Sequence, residues 1–223
     1  GWRHGPAGPG VTTDAAGSTH PDIVCGMTYA LTPPLLGTRV RLDPLTLDQA
    51  PELAEAVAVD DLWRTWYTRI PSPDQMRDDI EHRLQLQADG QLAPWAIIDA
   101  ASGRAVGMTT YLHPDPDNRR LEIGSTWLGV ASQRTGINTE AKLLMLGRAF
   151  DDLGCIAVEF RTHWHNRQSR AAIERLGAKQ DGVLRKHTLF ANGTVRDTVV
   201  FSITDDEWPT VKLGLDERLA RRR

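Results

Sequence analysis

A chain of 223 residues with 40% apolar and 25% charged positions is long enough to bury one substantial core and has the balance of a globular domain. Its formal charge of −3, with no basic block before Arg221-Arg222-Arg223, argues against nucleic acid as a partner and leaves room for a local basic pocket. Cys25 and Cys155 form neither a disulfide framework nor a zinc spacing, and no apolar run approaches the length of a membrane span.

Residues 1–26 are rich in Gly, Pro, Ala and Thr and are expected not to fold alone. They lack the charged start and apolar centre of a signal peptide, so a reducing cytoplasm is the expected compartment, and Met27 offers an alternative start. The compact domain is expected from about Leu35, leaving 1–34 as a flexible extension. Residues 38–42 alternate like a strand closed by Pro44, and 47–59 carry apolar residues at helical spacing behind a Thr46 or Asp48 cap. Trp63, Trp66 and Tyr67 follow, and Ser72-Pro73-Asp74 opens a second helix running to about Ala88. Strands are then expected over 94–99, 105–112 and 120–130, the first two joined by a turn at Ser102-Gly103.

A polar loop, Gln133-Arg134-Thr135-Gly136-Ile137-Asn138-Thr139-Glu140, leads into an apolar helix at 141–150. Beyond it come a strand at 156–162, a helix at 166–176, a strand at 178–186, an Asn192-Gly193 hairpin signal, a strand at 195–203 and a closing helix at 208–218. This order predicts an α/β (α+β) fold: a mixed, mostly antiparallel central sheet with helices packed on its faces. The basic end of the chain, within 211–223, suits a solvated helix C-terminus. Cys155, inside an entering core strand, reads as a buried inert thiol.

A short glycine-containing loop between a strand and a helix is where backbone N–H groups and the positive helix end converge on an anion such as a pyrophosphate. This one matches neither GxxxxGK[ST] nor GxGxxG. It resembles the acyl-CoA loop of the GNAT superfamily of N-acetyltransferases, Q/R-x-x-G-x-G/A, with Gln133, Gly136 and Asn138 at the three defined positions. Asn138 replaces the last Gly/Ala, and Gly136-Ile137-Asn138-Thr139-Glu140-Ala141-Lys142 is similar to the G-x-N-T-E-A-K reading of the RimJ/RimL-type branch. The run from Asn166 through Ser169 to Gly177-Ala178 resembles the family's second cofactor segment, and Gly182 to Ile203 its final hairpin. The resemblance spans about residues 35–210.

What the resemblance implies is acetyl-CoA as co-substrate, held by Gln133, Arg134, Thr135, Gly136, Ile137, Asn138 and Thr139, with Asn166 on the pantetheine arm and no metal. It also implies an oxyanion donor among the backbone N–H groups near Trp127 or Leu128. Ser169 holds the place of a serine near the CoA sulfur, where a hydroxyl could protonate the thiolate; its other reading is a first-turn serine bonding locally. Many relatives instead carry a Tyr seven residues after the motif Asn, and here that position is Ile173.

Transfer to an amine also requires a base, because an alkyl amine is mostly charged at neutral pH. Glu122, eleven residues before Gln133, is the first candidate; it reads equally as a strand charge pairing with Arg119 or Arg120. Asp197 and His187 are reserves. Trp63, Trp66 and Tyr67 are candidate walls of the acceptor cleft, against a reading as core. His163-Trp164-His165 lacks the further ligands of a metal site.

The expected function is direct attack of a primary amine, on a small molecule or a protein N-terminus, upon acetyl-CoA. A bulkier acyl donor and a catalytically weak acyl-CoA-binding module are the rival readings. Neither membrane nor nucleic acid is an expected partner, and a homodimer stays open because dimers are common among relatives.

Overall fold

The computed structural model describes residues 28–190 and 192–221. Its framework is a single eight-stranded sheet. In chain order the strands are β1 (Leu35–Leu36), β2 (Val40–Pro44), β3 (Leu92–Asp99), β4 (Ala105–Asp115), β5 (Arg120–Leu128), β6 (Ala157–His163), β7 (Lys179–Leu189) and β8 (Val195–Thr204). They lie side by side as β1-β2-β3-β4-β5-β6-β8-β7. Every pairing is antiparallel except β5 with β6. The helices are α1 (Ala50–Ala58), α2 (Met76–Ala88), α3 (Ile137–Gly147), α4 (Arg167–Leu176) and α5 (Trp208–Ala220). The fold is the mixed, mostly antiparallel α/β sheet expected from the element order.

Side-chain alternation divides the core in two. On one face Leu42, Trp95, Tyr111, Leu121, Val158, Phe160, Val199 and Phe201 pack against α3, α4 and α5. On the other, Ala96, Ile98, Met108 and Trp127 pack against Leu53 and Val57 of α1 and Met76 and Ile80 of α2. The second face is the one that carries Glu122, since its neighbours Leu121 and Ile123 belong to the first. No helix among the described residues is long and apolar enough to cross a membrane.

Several boundaries differ from expectation, three of them with consequences for the site or the domain. The helix expected over 141–150 begins at Ile137, because Asn138, Thr139 and Glu140 occupy its first turn, where polar side chains are favoured but break an apolar pattern. Residues 28–34, expected in the flexible extension, instead pack onto the domain. Tyr29 is buried in the core, Trp95 donates its indole N–H to the Pro33 carbonyl at 3.0 Å, and Arg148 donates to the carbonyls of Thr28 and Leu31. A single aromatic in a polar segment carries too little periodicity to reveal such docking. The closing helix also belongs to the domain, since Trp208 and Leu215 are buried against α3 and its extension. The remaining readings at residues 1–27, including Met27 and Cys25, and Arg222-Arg223 of the tail lie outside the described residues.

One carboxylate joins α3 to the sheet edge. Glu140 accepts hydrogen bonds from the Thr38 N–H (3.0 Å), the Thr38 hydroxyl (2.7 Å), the Arg39 N–H (2.6 Å) and the Val40 N–H (2.9 Å). The turn between β1 and β2 can wrap it only because residue 37 is glycine: a Cβ there would lie 2.6 Å from the Glu140 Oε2. Burial pushes the Glu140 carboxyl up, but the Thr38 hydroxyl and three backbone donors outweigh it and hold it below its ordinary value. A depressed folded-state pKa stabilises the fold above the ordinary carboxylate range and is lost as pH falls through the folded value. Glu140→Gln is therefore expected to cost about 2–4 kcal/mol at neutral pH by urea unfolding. The gap to wild type should close on acidification, because only the wild type loses this contribution.

Candidate active site

The site begins where two parallel strands part. β5 pairs with β6 only through Arg120↔Ala157, Leu121↔Val158 and Glu122↔Glu159, although β5 continues to Leu128 and β6 to His163. Past Glu122 the facing edges have no strand partner, so a gap opens with Glu122 and Glu159 at its closed end. β5 is bent away at a bulge. Ser125 and Thr126 together oppose Thr109, and Ser125 takes φ 45°, a left-handed conformation. Beneath the bulge Lys142 of α3 donates to Thr109 Oγ1 at 3.0 Å and to Thr126 Oγ1 at 2.6 Å, and the two hydroxyls lie 2.8 Å apart.

Both motif segments lie at the open end of this gap, because each follows one of the two parting strands. After β5 the Gln133 amide donates to the Leu128 carbonyl at 3.0 Å, and the Thr135 hydroxyl donates to the Ser132 carbonyl at 2.8 Å. Arg134 (φ 63°) and Gly136 (φ 102°) turn the chain into α3 through left-handed conformations; glycine meets no steric cost there. The first α-helical bond runs from the Glu140 N–H to the Gly136 carbonyl at 3.0 Å, so the N–H groups of Ile137, Asn138 and Thr139 lie ahead of the ladder. After β6, Asn166 caps α4 by accepting from the Ser169 N–H at 3.0 Å. This leaves the Asn166 amide N–H groups and the Ser169 hydroxyl without a protein hydrogen bond among the described residues. Gln168 reaches across to the Gln133 side-chain oxygen at 3.4 Å, which brings the two segments together. The Asn138 Oδ1 is buried with no protein partner.

The other wall is polar. Glu122, 6% exposed, faces His113 Nδ1 at 3.0 Å and Arg161 at 3.5 Å, and it pairs with neither Arg119 nor Arg120, the partners considered from sequence. Arg120 instead pairs with Glu159, the neighbour across the parallel register. Burial raises the Glu122 pKa above its ordinary value despite His113 and Arg161, so this carboxylate is a better proton acceptor than a solvated one. The reserves are less suited. The Lys186 N–H and the Arg185 guanidinium hold Asp197 below its usual range, and His187 Nδ1 lies 3.0 Å from the Thr198 hydroxyl.

The three aromatic candidates separate. Trp66, half exposed, and Tyr67 stack beside His163 at the end of β6, with ring centroids 5.3 and 6.2 Å away. Trp63 packs into the apolar cluster that contains Trp127 and carries Arg64 over its ring. Trp127 and Leu128 end β5 as buried residues, and the Trp127 indole N–H is unpartnered. Among the described residues no three His, Cys, Asp or Glu side chains are grouped to hold a metal ion. Cys155 is buried against the Tyr29 hydroxyl, and burial pushes its thiol pKa up.

Four polar residues here carry no distinctive sequence signal. His113 lies inside β4, which continues to Asp115 although the sequence from His113 to Asn118 reads as its break. Arg69, Arg161 and Arg196 come from three separate elements. Only the alternation Glu159, Arg161, His163 along β6 could have suggested a shared polar face.

A helix N-terminus with N–H groups ahead of its ladder and a buried carboxylate thus flank the parted strands. The chain belongs to the GNAT acetyltransferase family: the model of the acetyltransferase (GNAT) domain matches residues 39–179. A GCN5-related N-acetyltransferase from Brucella melitensis superposes with a TM-score of 0.75 at 33% identity, over 83% of this chain and 84% of that one. The Bacillus subtilis (strain 168) protein named "Putative ribosomal N-acetyltransferase YdaF" is 33% identical over 106 residues, which span 48% of this chain and 57% of that protein. Mycobacterium smegmatis RimJ, solved with CoA-disulfide, shares the fold at a TM-score of 0.70 and 20% identity, over 83% of this chain and 93% of its own.

Among the described residues Lys142 has no carboxylate partner, and burial alone lowers its pKa to about 7 from 10.5. Between those values the unfolded chain binds a proton that the folded one does not, so the burden of the buried amine is greatest near and below neutrality and lifts as pH rises toward 10.5. Wild-type stability is therefore expected to rise relative to Lys142→Met by a few kcal/mol between about pH 7 and about pH 10, read by urea unfolding at each pH. A constant difference would show that Lys142 stays charged.

Proposed function

We propose that this chain transfers an acetyl group from acetyl-CoA to a primary amine, by direct attack of the amine without a covalent enzyme intermediate. The observation that carries this reading is the contact of the Gln133–Asn138 loop with the Asn166-capped helix at the mouth of the β5–β6 gap, with Glu122 at the closed end of that gap. The Asn138 and Thr139 N–H groups ahead of the α3 ladder, the left-handed Gly136 and the unpartnered Asn138 Oδ1 suit a pyrophosphate and its adjoining polar groups. Acetyl-CoA supplies an acyl thioester and a thiolate leaving group.

The protein's own groups then divide the work. Gln133 to Thr139 hold the phosphates, and the Asn166 amide donates to the pantetheine arm. N–H groups on the unpaired β5 edge near Trp127 and Leu128 stabilise negative charge on the carbonyl oxygen as the carbon–sulfur bond breaks. Glu122 takes the proton the amine loses, directly or through a water, and the Ser169 hydroxyl donates to the departing sulfur. Neither Cys25 nor Cys155 belongs to the loop, which supports direct attack. The name borne by the Bacillus subtilis relative, a ribosomal N-acetyltransferase, supports a protein amine, such as an N-terminus, as one acceptor class within a RimJ/RimL-type reading.

Glu122→Gln is expected to lower kcat by about 10²–10⁴-fold while leaving acetyl-CoA affinity unchanged. In wild type kcat/KM should rise with pH through the elevated Glu122 pKa, since only the carboxylate accepts a proton, and the variant should lose that acid limb. Steady-state CoA release with a panel of amines measures both. An unchanged rate would move the base elsewhere.

A further inference from the structure

Beyond Glu122, the face of the sheet that looks toward the α1–α2 connection holds an excess of cationic and donor groups that the transfer chemistry does not use. His163 Nδ1 accepts the His165 N–H at 3.0 Å, which fixes the proton of the neutral ring on Nε2. That Nε2 is buried and unpartnered, in a side chain only 3% exposed. Around the ring lie Trp66, Tyr67 and Phe190. Burial lowers the His163 pKa, and the nearby Arg196 and His165 lower it further against the opposing pull of Asp197, so the ring is a neutral donor near neutral pH.

Two guanidiniums share this corner. Arg69, on the α1–α2 connection beside Tyr67, lies over the Phe190 ring at 5.2 Å. Arg196 stands on β8 two residues before Thr198, which pairs with His163, so it lies on the same face as His163. Its Nε is buried without a partner, and it feels the charges of Glu122, Arg69 and Arg161. Among the described residues neither Arg69 nor Arg196 forms a salt bridge. The nearby acids are already engaged: Glu159 by Arg120 and Arg161, Glu122 by His113 and Arg161, Asp197 by Arg185. The buried Arg196 and the exposed Arg69 lower each other's tolerance for charge without a salt-bridge partner among the described residues, and a bound carboxylate relieves that repulsion through bidentate hydrogen bonds.

On the transferase reading above, we propose that the acceptor is an amine with a carboxylate close to it, the carboxylate held by Arg69 and Arg196 with the His163 Nε2–H as a further donor. Glu122, on the same face, then receives the amine, so the two ends of the acceptor meet opposite charges. The carboxylate belongs either to a free amino acid or to an acidic residue at the start of a peptide; both present the same chemistry.

The test is CoA release by the full chain with acetyl-CoA and matched acceptors. One arm compares free amino acids with their carboxamides; the other compares peptides bearing Asp or Glu at the first or second position with the Asn or Gln forms. The expected result is a kcat/KM about tenfold or more higher for the carboxylate member in one arm, which identifies the source. Arg69→Gln and Arg196→Gln should each shrink that ratio toward one, through KM more than kcat. Arg69 is exposed, so its variant keeps the test readable if the other does not fold. Equal rates for carboxylate and carboxamide acceptors, or a preference that survives both substitutions, would overturn the proposal alone. No turnover with any amine would overturn the transferase reading and this proposal with it.

Discussion

The site depends on a pairing that stops. Two parallel strands hold together for three residues and then part, and the gap has nowhere to close because each strand is committed on its outer side, β5 to β4 and β6 to β8. An unpaired strand edge inside a sheet would ordinarily be costly, since its N–H and C=O groups lose both water and a protein partner. Here that edge is available to a ligand. The same parting sends both strands into loops at one end of the sheet, so the Gln133–Asn138 segment and Asn166 become neighbours although 28 residues separate Asn138 from Asn166 in the chain.

Keeping such a gap open requires rigid surroundings, and α3 supplies them from two successive faces. Glu140 ties its first turn to the β1–β2 turn through four donors, while Lys142 reaches under the β5 bulge to two threonine hydroxyls. The helix whose N-terminus stands at the open end of the gap is thus joined both to the far edge of the sheet and to the strand that forms one wall of the gap. The two contacts differ in kind. A carboxylate surrounded by donors is stabilised as an anion, whereas an amine among hydroxyls and apolar atoms is driven toward its neutral form.

Much of this was legible before any coordinates. Alternation marked the strands, Asn192-Gly193 marked the last hairpin, and a loop of unusual composition followed by an Asn-capped helix marked the cofactor side. Local patterns of this sort survive because they arise from backbone geometry within a few residues. Less legible were the features made by distant segments. Glu140 stands in the family-like run Gly136 to Lys142, yet nothing in that run says its partners are Thr38, Arg39 and Val40. Glu122 was weighed against Arg119 and Arg120 as neighbours in sequence, but Arg119 precedes the strand and Arg120, on the same face, is taken by Glu159, so the partners of Glu122 come from β4 and β6. Trp63, Trp66 and Tyr67 lie within five residues of one another, yet an irregular connection turns the first into the core and the other two toward His163.

Sequence by itself determined the family and the order of elements, and it pointed to the loop and helix end proposed for the donor, because such a cradle is built from one short loop and one helix end. Tertiary structure decided what surrounds Glu122. There, Glu122, His163, Arg69 and Arg196 converge from β5, β6, the α1–α2 connection and β8, and their charges acquire meaning only from the burial and the neighbours that the folded sheet imposes.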